Sequence, residues 1–182
     1  MMITKKHGLE PALSSPLKPL AANEIVEQLD YILRYAFDWG DEKWAMSHLL
    51  SKYKLREDYD FLIIDFHGEI TSEKMAMGYL FDGKATMVVG THTHVPTSDH
   101  RIMEKGTAYQ TDIGMCGDYN SVIGMNRDNS LKKFLKDSSA KKHFPALGEA
   151  TISGLLVTAD EKTGLALKIQ QIIIGGALQE RF

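Results

Sequence analysis

Residues 59–94 read YDFLIIDFHGEITSEKMAMGYLFDGKATMVVGTHTH, and the order of patterns in this stretch decides the fold. The run YDFLIIDFH (59–67) is almost continuously apolar, which is typical of a strand covered on both faces. SEKMAMGYLFDGK (72–84) predicts a short helix that ends near Gly83, and ATMVVGTHTH (85–94) predicts a second buried strand. Because this order indicates parallel strands joined by a crossover helix, we expect an α/β fold.

Histidines stand at the carboxyl ends of both predicted strands, where ligand groups gather in parallel sheets. Alternate residues of a strand point to the same face, so His92 and His94 are expected to project together, with His67 beside them. Imidazole is a common ligand of divalent transition metals, and these three histidines are therefore the candidate metal ligands. The competing interpretation is that they are ordinary polar residues where strands meet loops.

Two aspartates and one polar motif lie near these histidines. Asp65 either orients a histidine or simply ends its strand. Asp112 lies among apolar residues, where an unpaired acid is costly, so we expect it to be hydrogen-bonded in the core or close to the site. TSEK (71–74) resembles a capping box and predicts the start of the helix.

Composition limits the classes of function. The 182 residues are 43% hydrophobic and 25% charged, as in one ordinary globular domain. A net charge of −3 provides no general attraction to nucleic acid or to an anionic membrane. The single cysteine, Cys116, excludes an intrachain disulfide, and no apolar run approaches the roughly 20 residues that span a bilayer. These features predict a cytoplasmic protein with no nucleic acid polymer or membrane as partner.

The chain divides into three predicted regions. Residues 1–22 contain three of the five prolines and are expected to form an irregular arm. Residues 23–58 carry apolar residues at helical spacing and form either helices that pack on a sheet or an insertion. Residues 59–182 form the main unit, in which strand-like runs near 106–115, 150–160 and 165–174 and a helix near 128–139 predict a partly antiparallel second sheet.

Four motifs together carry a resemblance to a known family: DFHGEITSEK (65–74), VVGTHTHVPT (88–97), KGTAYQTDIGM (105–115) and VIGM (122–125). Residues 59–176 resemble the YmdB-type branch of the calcineurin-like metallophosphoesterases. The resemblance implies a mixed-sheet sandwich flanked by helices, holding two metal ions, usually iron or manganese. It implies hydrolysis of phosphodiesters, cyclic nucleotides among them, with His67 and His92 binding one ion and His94 the other. Two such cations would bind the phosphate and lower the pKa of a bridging water.

The chain also departs from the family pattern. Family members begin with a strand that ends in an aspartate ligand, followed by a Glu-Asn pair and an Asn-His pair, and no corresponding GD start, GEN or GNH motif occurs here. The chain therefore resembles the carboxyl-terminal portion of the enzyme with the amino-terminal half missing, and no catalytic residue is assigned. Three neutral histidines do not offset the charge of two dications, so we expect impaired activity unless a complementing amino-terminal chain or a homo-oligomer completes the site.

Two alternatives stay open at this point. The first is a non-catalytic remnant or interaction domain that retains part of a metal site. The second is an unrelated hydrolase that uses H-x-H in a mononuclear site, as the amidohydrolases do. In that class the H-x-H motif lies on the first strand, whereas here it comes late, which disfavours this alternative.

Overall fold

The computed structural model describes residues 54–182 and the backbone of one strand near the amino terminus. We number the elements in chain order. They are β1 (Met2–Lys5), β2 (Tyr59–His67), α1 (Thr71–Phe81), β3 (Met87–Thr91), β4 (Arg101–Ile102), β5 (Ala108–Gln110), α2 (Arg127–Phe134), β6 (Ile152–Ala159) and β7 (Ala166–Ile174).

The predicted parallel strand–helix–strand unit is confirmed. Strands β2 and β3 pair in parallel from Ile63 opposite Met87 to His67 opposite Thr91, and α1 connects them. The five-stranded sheet has the order β1-β2-β3-β5-β4, in which β3 and β5 are also parallel. Strands β1 and β4 pair antiparallel with their neighbours, so the sheet is mixed.

Strand β1 corrects one expectation for the amino terminus. The predicted irregular arm over 1–22 is wrong at Met2–Lys5, which pairs antiparallel with β2. The reason is that β2 otherwise offers a row of unpaired backbone N–H and C=O groups, to which an extended segment adds readily. The rest of that arm and most of the helical segment predicted over 23–58 lie outside the described residues, and residues 54–58 form a bridge at Leu55 and a turn in place of a helix.

Helix α1 covers one face of the five-stranded sheet. The predicted helix start at TSEK is confirmed, since α1 begins at Thr71, but no side-chain hydrogen bond forms at its cap and the motif is therefore not a capping box. Since Thr71 is already the first helical residue, its hydroxyl lies inside the first turn and not at the cap. The buried core between helix and sheet comprises Leu62, Ile64, Met77, Phe81, Ala85, Val88, Met103 and Tyr109.

A second sheet covers the opposite face. It is the antiparallel pair β6–β7, as the strand-like runs near 150–160 and 165–174 predict, whereas the run near 106–115 contributes β5 to the five-stranded sheet. Gln110 alternates with the core residue Tyr109 along β5 and therefore points away from α1. The side-chain amides of Gln110 and of Gln171 on β7 both donate to the carbonyl of Thr97, at 2.6 and 3.0 Å. The two sheets thus form a sandwich with a helix on its outside, and the predicted fold class is confirmed.

Gly90 marks the closest approach within the five-stranded sheet. A Cβ at this position would lie 1.8 Å from the carbonyl oxygen of Thr111 and 2.7 Å from Cδ of Lys74. We predict that Gly90→Ala lowers the free energy of unfolding by about 3 kcal/mol or more, because a backbone oxygen cannot move aside cheaply. Denaturant unfolding followed by circular dichroism measures the change.

Gly154 provides the matched control for this substitution. It also lies within a strand, but a Cβ there would meet nothing within 4 Å. We expect Gly154→Ala to leave the free energy of unfolding unchanged or slightly raised, because alanine loses less chain entropy than glycine. Equal stability of the two variants would contradict the steric argument.

Candidate functional site at two strand ends

His67 and His92 lie side by side at the ends of two neighbouring strands. His67 is the last residue of β2 and is paired with Thr91, the last residue of β3, so His92 follows directly beside it. Nε2 of His67 lies 3.0 Å from Nδ1 of His92, and the two rings meet edge to face with their centroids 4.9 Å apart. The prediction that adjacent parallel strands bring histidines together is confirmed for this pair.

The geometric reason predicted for His92 and His94 is wrong. Strand β3 ends at Thr91, so the alternation of side chains along a strand does not apply to either residue. His92 has φ 130° and His94 has φ 65°, in a region that residues with a Cβ rarely adopt. Beyond the strand, the N–H of Thr93 donates to the carboxylate of Asp112 and not to a neighbouring strand, so it makes no ladder hydrogen bond. A strained turn therefore places the two histidines.

A chain of hydrogen bonds fixes the His67 ring. The hydroxyl of Thr91 donates to Asp65 at 2.8 Å, and its oxygen lies 3.0 Å from Nδ1 of His67. Because the hydroxyl proton is used toward Asp65, the Thr91 oxygen accepts from Nδ1–H, which leaves a lone pair on Nε2. Of the two interpretations for Asp65, orientation of a histidine is the one that the structure supports, and it acts through Thr91.

Glu69 is a neighbour of the histidine pair that the sequence analysis does not assign to the site. Its Oε2 lies 2.8 Å from Nε2 of His92, and its side chain is 75% exposed. Both ring nitrogens of His92 are thus engaged, one by His67 and one by Glu69. The only indication in the sequence is that Glu69 follows His67 by two residues. This spacing does not determine the direction of a side chain in a loop.

His94 is held separately from the pair. Its Nδ1 donates to the carbonyl of Ile123 at 2.9 Å, which leaves the lone pair on Nε2. The partner residue belongs to the VIGM motif, so the structure explains why that motif accompanies the histidines. Across residues 54–182, no three or more His, Cys, Asp or Glu side chains are arranged to hold a metal ion. The expected convergence of all three histidines is therefore not found, and the ligand assignments stay predictions.

Asp112 is both hydrogen-bonded in the core and close to the site, as the sequence predicts. It forms a buried ion pair with Lys74, with Nζ and Oδ2 2.9 Å apart. Burial alone would raise the pKa of Asp112, but hydrogen bonds from Lys74 and from the backbone N–H groups of Thr93 and Gly114 outweigh it and lower that pKa. The carboxylate therefore stays ionised next to the turn that carries His92 and His94.

Asp99 joins the loop beyond the histidines to β5. It accepts hydrogen bonds from the hydroxyls of Thr97 and Thr111, both at 2.6 Å, and it lies 3.3 Å from a guanidinium nitrogen of Arg101. Burial opposes ionisation of Asp99, but these hydroxyl hydrogen bonds hold its pKa below the ordinary value of 3.8. The segment after His94 is thus tied to the sheet by a charged group.

The two-sheet α/β sandwich is a fold that this chain shares with known proteins. Residues 40–172 match the YmdB-like protein family, and the chain belongs to that family. The match includes residues 40–58, part of the segment that the sequence leaves open as an insertion. A 2′,3′-cyclic-nucleotide 2′-phosphodiesterase of Bacillus subtilis (strain 168) is 48% identical over 114 residues, which is 63% of this chain and 43% of that relative.

Two solved structures are similar in fold. A hypothetical protein of Thermus thermophilus superposes with a TM-score of 0.64 and 36% identity, covering 74% of this chain and 50% of the other. A phosphatase of Mycoplasma pneumoniae superposes with a TM-score of 0.64 and 40% identity, covering 72% of this chain and 46% of the other. The chain therefore spans half or less of the length of these relatives. Within the described ranges no helix is long and apolar enough to cross a membrane.

The lowered pKa of Asp99 leads to a prediction about stability and pH. Asp99→Asn should lower the free energy of unfolding near pH 7 by about 1–3 kcal/mol, because hydrogen bonds to a charged acceptor are lost. Because the pKa of Asp99 is lower in the folded state than in the unfolded state, its carboxylate stabilises the fold fully at pH values above the unfolded-state pKa. This stabilisation is lost as the pH falls through the folded-state pKa. The gap in Tm between wild type and variant should therefore close below about pH 4.

Asp128 is the control for this pH series. Its side chain is 78% exposed, and its Oδ1 lies 3.5 Å from Nε of Arg127. We expect Asp128→Asn to have nearly the wild-type Tm at every pH. A gap for Asp99→Asn that stays constant down to about pH 2 would show that the carboxylate charge does not contribute.

Proposed function

We propose that residues 59–182 supply the histidine ligands of a metal-dependent phosphodiesterase site. The observation that carries the proposal is the 3.0 Å separation between Nε2 of His67 and Nδ1 of His92. Nitrogens bound to one divalent cation lie about 2.1 Å from it, so two of them at about a right angle are about 3 Å apart. The pair has the spacing of two ligands of one ion.

The surroundings of His67 and His94 support the same proposal. Histidines that bind metals usually donate their other ring N–H to a carboxylate, a carbonyl or a similar acceptor. His67 does so toward Thr91, which Asp65 orients in turn, and His94 does so toward the carbonyl of Ile123. In each ring the lone pair is thus on Nε2, which in His67 faces Nδ1 of His92. We propose that His67 and His92 bind one ion and His94 a second, with iron or manganese as the metals.

The proposed substrates are phosphodiesters, including cyclic nucleotides. Support comes from membership of the YmdB-like family and from the Bacillus subtilis relative, which is named for action on 2′,3′-cyclic nucleotides. Bound divalent cations would neutralise phosphate charge and lower the pKa of an attacking water. The residues of this chain would hold the cations by neutral imidazoles, whose tautomers are set by Thr91 and Ile123.

The described residues do not complete such a site by themselves. Two neighbouring neutral imidazoles bring no negative charge, and no group of three or more ligands is arranged for a metal within residues 54–182. We propose that acidic ligands come from outside these residues, including from a second polypeptide or a second copy of the chain. The same observation favours a second candidate function, a non-catalytic domain that keeps part of a metal site.

A complementation assay tests both candidates. The purified chain is incubated with Mn²⁺ and assayed on bis-p-nitrophenyl phosphate and on a 2′,3′-cyclic nucleotide. The assay is repeated with a separately expressed polypeptide that covers the part of the Bacillus subtilis relative not matched here. We expect little turnover from the chain alone and clear turnover from the mixture. His67→Ala and His92→Ala should each lower that turnover by at least about 100-fold, because a lost ligand weakens metal binding.

His143→Ala is the matched histidine control, since His143 lies in an exposed loop of the described structure. It should leave turnover unchanged. Robust turnover of the chain alone would overturn the need for outside ligands, and turnover that survives His92→Ala would overturn the site assignment. Binding of Mn²⁺ without turnover in either assay would support the non-catalytic domain.

A further inference from the structure

Lys74 and Asp112 form the most deeply buried charged contact in the described part of the chain. Lys74 is on α1 and Asp112 follows β5, and their side chains are 1% and 0% exposed. A lysine is almost never buried this completely unless its charge is paired. The single salt bridge of 2.9 Å therefore fixes the position of both groups.

The carboxylate of Asp112 uses the rest of its hydrogen-bonding capacity on nearby backbone. Oδ2, which already accepts from Lys74, also accepts from the N–H of Thr93 at 2.9 Å. Oδ1 accepts from the N–H of Gly114 at 2.9 Å. Thr93 stands between His92 and His94, so the buried pair holds the middle residue of the histidine turn.

Gly90 makes room for this arrangement. A Cβ at position 90 would lie 2.7 Å from Cδ of Lys74, which shows that the lysine stem passes directly over β3. The ammonium thus approaches Asp112 across the strand that leads into the histidine turn. The ion pair therefore connects α1, β3 and the histidine turn.

We propose that Lys74 and Asp112 are positioning residues for the turn that carries His92 and His94. The proposal rests on the proposed function, because it concerns the same histidines. Backbone conformations with φ 130° at His92 and 65° at His94 are unfavourable and persist only where the surroundings hold them. The hydrogen bond from the N–H of Thr93 to Asp112 lies between these two residues and is the backbone contact that ties the turn to the core. A buried ion pair by itself is weak evidence for stability, so orientation of the turn is the distinctive consequence.

The double variant Lys74→Met/Asp112→Asn tests this role. It removes both charges together, so neither is left unpaired in the core. The N–H groups of Thr93 and Gly114 donate to different oxygens of the Asp112 carboxylate. Asparagine has only one side-chain oxygen, so at least one of these hydrogen bonds is lost. The matched control is Arg56→Met/Asp60→Asn, which removes another ion pair within the described structure without touching the histidine turn.

Two measurements on the full chain distinguish positioning from a purely structural role. The first is the NMR spectrum of ¹⁵N-labelled histidine rings without metal, and the second is titration with Mn²⁺. We expect the ring signals of His92 and His94 to shift in the Lys74/Asp112 double variant and Mn²⁺ affinity to fall about 10- to 100-fold. The Arg56/Asp60 control should keep wild-type ring signals and affinity.

Unchanged ring signals and unchanged Mn²⁺ affinity in a folded double variant would overturn the proposal. If the wild-type chain alone binds no Mn²⁺, the complementation assay decides the proposed function, and the ring signals alone decide whether the pair positions the turn. If the double variant does not fold, hydrogen exchange of the Thr93 amide in the wild type decides instead. Slow exchange supports the contact with Asp112, and exchange as fast as in an exposed loop overturns it.

Discussion

The structure around the histidines depends on one buried electrostatic contact, the salt bridge from Lys74 to Asp112. Burying either charge alone would destabilise the fold, because an unpaired charge loses its hydration. Pairing Lys74 with Asp112 offsets this cost for both residues. Because Lys74 is on α1 and Asp112 follows β5, the contact fastens the helix to the far side of β3. The same carboxylate also accepts from the N–H of Thr93, just beyond β3. Core packing and the geometry of the site are set by the same atoms.

Long apolar runs made much of the fold predictable. The apolar run over 59–67 predicted β2 with its bounds, and the helical pattern over 72–84 predicted α1. The runs near 150–160 and 165–174 predicted β6 and β7. Strand β4 has two residues, too few to show a period, and β5 is a three-residue part of the strand-like run near 106–115 whose place in the first sheet that run does not indicate. They exist because they pair with each other and with β3, which is information held in contacts and not in local composition.

The candidate site was also predictable only in part. His67 and His92 could be placed together because strand ends of a parallel unit meet at one edge. The roles of Thr91 and Glu69 could not, since they depend on side-chain directions in loops. The conformation of His92 and His94 could not either, because a residue almost twenty positions later in the chain determines it. Strand periodicity is a local rule, and a long-range hydrogen bond overrode it here.

Gly90 has a consequence for redesign of this protein. The atom nearest to a hypothetical Cβ there is the carbonyl oxygen of Thr111, just after β5, at 1.8 Å, and Cδ of Lys74 follows at 2.7 Å. No compensating change at position 74 can remove that first overlap, so sheet geometry alone dictates glycine at 90. Positions 74 and 112, in contrast, are coupled to each other by the ion pair, and Asp112 also accepts from the amides of Thr93 and Gly114. A library that varies 74 and 112 jointly, with 90 kept constant, samples the sequences compatible with this backbone.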